Sequence, residues 1–352
     1  MTSSVSSSRP ENDALIHSEQ QLEDLLSEPT NPVIETLGRL EGDILVLGVA
    51  GKMGPTLARM ARRASDAAGV RRRVIGVSRF SGTSQEELEA HGIETIRCDL
   101  LNESQVARLP DAPNVVYMAG RKFGSTGDES RTWAHNSYLP GIIGRRYASS
   151  RIVVFSTHNI YGMVPVESGG SREGDTPNPG GEYAMSCLGR ERVFEYFSRQ
   201  FKTPMVLIRL NYACELRYGV LVDLARNICA GNTINLCTGY FNIIWQGDAN
   251  AMILRAFAHV ATPPPVINVS GPERLSVRAV CERLGQLMDM PVQFAGAESG
   301  TALLSDARHG QGLLGPSLVS AARLIEWVAN WVASGGRSLG KPTHFESRDG
   351  TF

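Results

Sequence analysis

From Asp43 onward, apolar positions come in blocks rather than singly. Six short runs rich in Val, Ile and Leu stand out: DILVLGV (43–49), RRVIGVSRF (72–80), IETIRCDL (93–100), NVVYMAG (114–120), RIVVFST (151–157) and MVLIRL (205–210). Runs with little polar alternation read as strands buried on both faces. Between them lie segments with apolar residues at helical spacing: PTLARMARRASDA, EELEAHG, residues 129–148 and Tyr183 to Gln200. Strand and helix in strict alternation predict an α/β fold, a doubly wound parallel sheet with helices on both faces.

Beyond Asn211 the pattern loosens. Short helices (VLVDLARNICA, GDANAMILRAFAH, SVRAVCERLGQLM) alternate with short strands (TINLC, VINVS, VQFAG), and a last helix covers SLVSAARLIEWVANWVAS. This predicts a smaller α+β cap over 212–340, followed by a polar tail over 341–352. Ahead of the sheet, the Ser-rich MTSSVSSSRPEND reads as a disordered tail. Two helices are then expected, one through Leu15, Ile16, Leu22, Leu25 and Leu26, the other from Pro32 to Leu40. Residues 1–40 are thus a tail and helical extension, and 41–211 the main α/β domain. No solenoid-like repeat is present.

Composition narrows the function classes. Thirty-five basic against 36 acidic residues give a net charge of −1, so electrostatics offer no case for nucleic acid or an anionic membrane. No apolar run reaches spanning length and the N-terminus carries no signal-peptide pattern, which points to the cytoplasm. The six cysteines (98, 187, 214, 229, 237, 281) form no CxxC pair, so no metal site is expected and they read as reduced, small apolar residues. Positive charge is almost all arginine; the lysines are Lys52, Lys122, Lys202 and Lys341.

The first strand runs into GVAGKMG, with Gly48, Gly51 and Gly54 opening a helix and Lys52 and Met53 inside the loop. Residues without Cβ let a diphosphate approach the backbone, and the helix start offers N–H groups to the anion. The GxxGxxG spacing and the α/β order resemble the extended short-chain dehydrogenase/reductase superfamily, its NAD(P)-dependent epimerase/dehydratase family, over roughly 43–335. The resemblance implies that Asp99 and Leu100 hold the adenine and that Met118, Ala119 and Gly120 line the adenosine and pyrophosphate side. In AGRKFG it makes Lys122 a cofactor contact, against the plainer reading of an exposed loop lysine. An NAD-preferring member ends its second strand in a carboxylate. Here Ser78 and Arg79 stand there, with Lys52 as a second cation, so NADP is favoured over NAD.

The resemblance also assigns the chemistry. FSTHNIYG followed by Tyr183 is similar to the family's catalytic signature, which implies that Thr157 holds the substrate oxygen and Tyr183 exchanges its proton. Asn136 matches the asparagine that completes the group. The family's lysine four residues after the tyrosine is absent; Cys187 takes its place. A tyrosine with an ordinary pKa near 10 is a poor base without a neighbouring cation. Three readings stay open. Arg190 or Lys122 compensates; or a neutral tyrosine donates its proton to a carbonyl; or the site is degraded and the chain is a dinucleotide-binding sensor or scaffold.

His158 and Asn159 replace the acid pair of 4,6-dehydratases, so that elimination is disfavoured. His158 is either a proton shuttle or a structural histidine. In YFNIIWQGD, Asp248 survives but Phe241 or Asn242 stands where nucleotide-sugar enzymes carry an arginine. This predicts a small-molecule substrate that is not a nucleotide sugar: an unactivated sugar, a polyol or another carbonyl compound. Asn211, Arg217 and Tyr218 are the candidate substrate contacts. Relatives pair the helices matching 129–148 and 183–200, which implies a homodimer.

Overall fold

A computed structural model describes residues 15–81, 85–122, 124 and 126–350; the serine-rich tail expected ahead of Leu15 lies outside the described residues. Seven strands make one parallel sheet: β1 (Ile44–Leu47), β2 (Val74–Ser78), β3 (Glu94–Arg97), β4 (Asn114–Tyr117), β5 (Arg151–Thr157), β6 (Met205–Leu210) and β7 (Val266–Val269). Their order is β3-β2-β1-β4-β5-β6-β7, with every neighbouring pair parallel. The order reverses between β1 and β4, and the crevice outside the strand ends at such a point is where doubly wound sheets bind ligands.

Along β1 successive residues feed two cores. Ile44 and Val46 point into the core under α2 (Asn31–Arg39), α3 (Gly54–Ala67) and α8 (Gln246–Arg255); Leu45 and Leu47 point into the one under α5 (Leu139–Arg146) and α6 (Gly181–Phe201). Side chains alternate across a strand, so a run apolar at every position must be covered twice. Between α4 (Glu129–Trp133) and α5, one turn over Ala134–Tyr138 widens to π geometry.

A third core holds α1 (Glu19–Leu26), α7 (Val220–Cys229), α9 (Val277–Met288) and α10 (Ala321–Ala333), around the edge-to-face pair Trp245–Trp327 with ring centres 5.4 Å apart. The helical extension joins two of these cores. Leu22 and Leu26 are sealed in the third, Val33 and Leu37 in the first. At about 1.5–3 kcal/mol for each fully buried leucine, this is structural weight and no loose appendage. Arg59 of α3 adds ion pairs to Glu23 and Asp24 at 3.3 and 2.8 Å.

Two expectations need correction. The cap predicted over 212–340 is not continuous, because β7 and α8 return to the sheet and its first core. VINVS was readable as a strand, but its partner β6 lies more than fifty residues earlier. The polar tail over 341–352 is, through residue 350, a packed strap: Thr343 and Phe345 are buried, and the N–H and hydroxyl of Thr343 donate to Asp223 at 2.8 and 2.6 Å. Among the described residues no helix is long and apolar enough to cross a membrane, and no cluster of His, Cys, Asp and Glu could hold a metal ion.

Candidate active site

The loop after β1 is a turn that only glycine permits. Gly48 has φ 89°, donates to the Val77 carbonyl at 2.8 Å, and would place a Cβ 2.8 Å from the Ala119 nitrogen. A Cβ on Gly54 would run into the Val49 carbonyl. Helix α3 then starts with Met53 at its cap, no side-chain cap and proline in the first turn. The Gly54 N–H turns back to the Gly51 carbonyl at 3.1 Å and Pro55 has none, so it is the positive end of the helix dipole that attracts an anion here.

These glycines form one wall of a cavity of about 280 Å³. Gly48, Gly51, Lys52, Met53, Met118, Gly120 and Lys122 line it from the β1 and β4 loops. Facing them are Thr157 at the end of β5, with Tyr183 and Arg190 from α6; Asn211, Tyr218 and Thr343 close the cap side. Eleven of the residues singled out in the sequence therefore converge on one space: seven cofactor residues, two catalytic and two substrate residues.

Tyr183 is partly buried, with the side chains of Thr157 and Cys187 beside it. Burial raises its pKa well above the usual tyrosine value and the Cys187 thiol adds to this, while Arg190 and Thr157 pull it down. With its pKa raised in this way, the tyrosine is neutral. Cys187 is sealed beside Ile160, Tyr161, Tyr183 and Leu188, and burial pushes its own pKa up, so it supplies no charge. Cations come from elsewhere. The Lys122 amine lies 5.9 Å from the centre of the Tyr183 ring, and burial brings it down to about 8.

Arg190 is 5% exposed and pinned, donating to the Phe155 carbonyl at 2.9 Å and to Asn136 Oδ1 at 2.6 Å. Gly120 makes room for it, since a Cβ there would strike its Nη2. Asn136 sits in the π turn with both ends of its amide engaged. Its oxygen also accepts from the Arg121 N–H, and its Nδ2 donates to the Arg121 carbonyl and the Ser186 hydroxyl. Asn136 does not itself line the cavity but holds Arg190 and the Arg121 backbone beside it.

Other predicted residues stand apart. His158 is fully buried against the Leu304 carbonyl (2.8 Å), does not line the cavity, and is lowered by burial to about 4. Arg217 is held by Glu215, two residues earlier, and by Glu23 and Glu19 of α1, at 3.1, 2.6 and 3.4 Å, and does not line this cavity. Gly54 and Ala119 shape the loops without lining the cavity. Ser78, Arg79, Asp99 and Leu100 lie at the ends of β2 and β3, with Arg79 exposed and Leu100 buried. Lys52 turns toward the cap, away from Arg79.

One buried polar network was missed. Behind Thr157, Ser156 donates to Glu191 at 2.5 Å, and Arg209 of β6 forks onto the same carboxylate at 3.1 and 2.7 Å. Both charged residues are under 5% exposed. The signal was available: an arginine inside the apolar run MVLIRL has to find a buried acid.

A glycine-lined helix start at a sheet's switch point, facing a Thr–Tyr pair, defines a dinucleotide-dependent protein of the short-chain dehydrogenase/reductase class. The model of the NAD dependent epimerase/dehydratase family matches residues 44–234, and the chain belongs to that family, a family of enzymes. Among solved structures it is similar to UDP-glucuronic acid 4-epimerase from Bacillus cereus in complex with UDP-glucuronic acid and NAD (20% identity, TM-score 0.69, 83% of this chain and 99% of that one). It is similar as well to UDP-glucose 4-epimerase from Thermotoga maritima with UDP-glucose (17%, 0.69, 83% and 99%) and to the enzyme WbmG from Bordetella bronchiseptica with NAD and UDP (18%, 0.68, 85% and 97%). No curated protein matches the chain.

These neighbours overturn the expectation that the substrate is not a nucleotide sugar, since all three hold a uridine nucleotide or its sugar. The argument had rested on a missing arginine at Phe241 or Asn242. Phe241 is buried in the cap core, and Asn242 bonds the Glu273 carbonyl and the Ser305 N–H, so neither position reports on substrate. The NADP preference loses support too: two of the neighbours hold NAD, and Lys52 is not beside Arg79.

Proposed function

We propose that this chain is an NAD-dependent enzyme acting by hydride transfer at a hydroxyl or carbonyl carbon of a nucleotide sugar. The observation that carries the reading is one cavity with the glycine cradle on one wall and Thr157–Tyr183 on the other. Gly48, Gly51 and the start of α3 would hold the dinucleotide's diphosphate, with Met118 and Gly120 flanking it. Bound NAD supplies the hydride acceptor and donor. Thr157 holds the reacting oxygen and Tyr183 passes the proton to or from it. Arg190 and Lys122 bring the positive charge that the missing lysine would have provided at the tyrosine.

The same reading pairs two copies through α4–α6, where Trp133, Tyr138, Tyr196 and Phe201 are exposed. Sedimentation gives the mass of the assembly. The direct test is calorimetric titration with NAD, then turnover of UDP-glucuronic acid and UDP-glucose. NAD uptake with turnover of either sugar supports the proposal; absence of NAD uptake removes it.

A further inference from the structure

Lys52 stands inside the glycine loop, but its amine crosses the cleft. Nζ donates to the Ala213 carbonyl at 2.7 Å and lies 4.4 Å from the centre of the Tyr218 ring. A carbonyl and a ring face are weak partners for an ammonium group taken out of water. Burial accordingly brings it down to about 8, with Glu215 acting the other way. Glu215 is itself engaged by Arg217 and does not line the cavity.

Two residues before Ala213 stands Asn211. It is 2% exposed, lines the same cavity, and its Nδ2 has no acceptor. An unmet buried donor costs about 1–3 kcal/mol, which a ligand oxygen would recover. Among the described residues that line the cavity, none is acidic.

We propose that Lys52 and Asn211 form an oxyanion subsite for the substrate on the cap side of the cavity, separate from the glycine cradle at α3. The proposal rests on reading this cavity as the active site. The shared chemistry is an anionic oxygen, and a sugar carboxylate or the sugar nucleotide's diphosphate can supply it.

Calorimetry on NAD-loaded protein separates the two, because UDP-glucuronic acid and UDP-glucose differ in one carboxylate. Losing a charge-assisted hydrogen bond of about 1.5–3 kcal/mol weakens binding about tenfold to a hundredfold. A preference for UDP-glucuronic acid that Lys52→Met abolishes assigns the carboxylate; equal weakening of both sugars assigns the diphosphate. Unchanged affinities in Lys52→Met overturn the subsite. So does an equal loss of affinity for NAD alone, which would give the amine to the cofactor.

Amine acylation read by peptide mass adds a measure that needs no turnover, since the chain has four lysines. Run with and without NAD, inorganic phosphate or either sugar should shield Lys52 and leave Lys202 and Lys341 unchanged. No shielding by any of the three overturns the subsite. Shielding by phosphate alone, with neither sugar bound, keeps the subsite and removes the nucleotide-sugar reading.

Discussion

The two walls of the cleft are built on different principles. The glycine wall is made by the backbone: Gly48 at φ 89° and the start of α3 follow a path that is set by the turn. The opposite wall is made by side chains, and there the charge at Tyr183 is reached by other means. Cys187 at the usual lysine position is inert, while Arg190 and Lys122 arrive from a later turn of α6 and from the β4 loop. A wall fixed by the backbone has one solution. A wall made by side chains can move its cation by several residues and still face the same oxygen.

That contrast can be broken at four points, taken from the largest effect down. Tyr183→Phe removes the proton carrier and should lower turnover about a hundredfold to ten-thousandfold, with NAD affinity unchanged by calorimetry. An equal rate in the variant would mean that the side-chain wall does no acid–base chemistry. Arg209→Met leaves Glu191 buried without its partner and should cost about 3–5 kcal/mol of stability in denaturant unfolding. Gly48→Ala forces a Cβ at positive φ, worth about 1–2 kcal/mol of strain, and should weaken NAD more than Arg79→Ala does. A larger effect of Arg79 would move the weight of binding off the backbone.

The fourth point is one of pH. His158 is held down to about 4 by burial, against 6.5 unperturbed. Between those values the unfolded chain binds a proton that the folded one does not, so stability falls as pH drops from 6.5 toward 4. His158→Gln keeps a donor for the Leu304 carbonyl and should flatten the dependence of Tm on pH in that window.

The sheet was legible because runs such as ILVL at β1 are apolar at every position, and only a doubly covered strand can use them. The glycine cradle was legible for a similar reason, since residues without Cβ mark places where backbone must pass close. What stayed hidden depended on direction or on distant partners. Lys52 could have faced either end of the cleft. Arg217 looked like a substrate contact until Glu19 and Glu23 closed on it from almost two hundred residues away. Asn136 was found, but its place behind the cavity follows from a widened helical turn that no spacing in TWAHNSY reveals. Thr343 and Phe345 sit in a sequence too polar to suggest burial.

The strap has a mechanical consequence. Beyond Phe345 it runs on until Gly350 meets Gly180 and Gly181, where a methyl group on Gly181 would come within 2.5 Å of the Gly350 oxygen. Gly181 begins the helix that carries Tyr183 in its first turn, with Gly180 at the cap. The last described stretch of polypeptide is therefore seated against the start of that helix, at a place where Gly180, Gly181 and Gly350 bring bare backbone together.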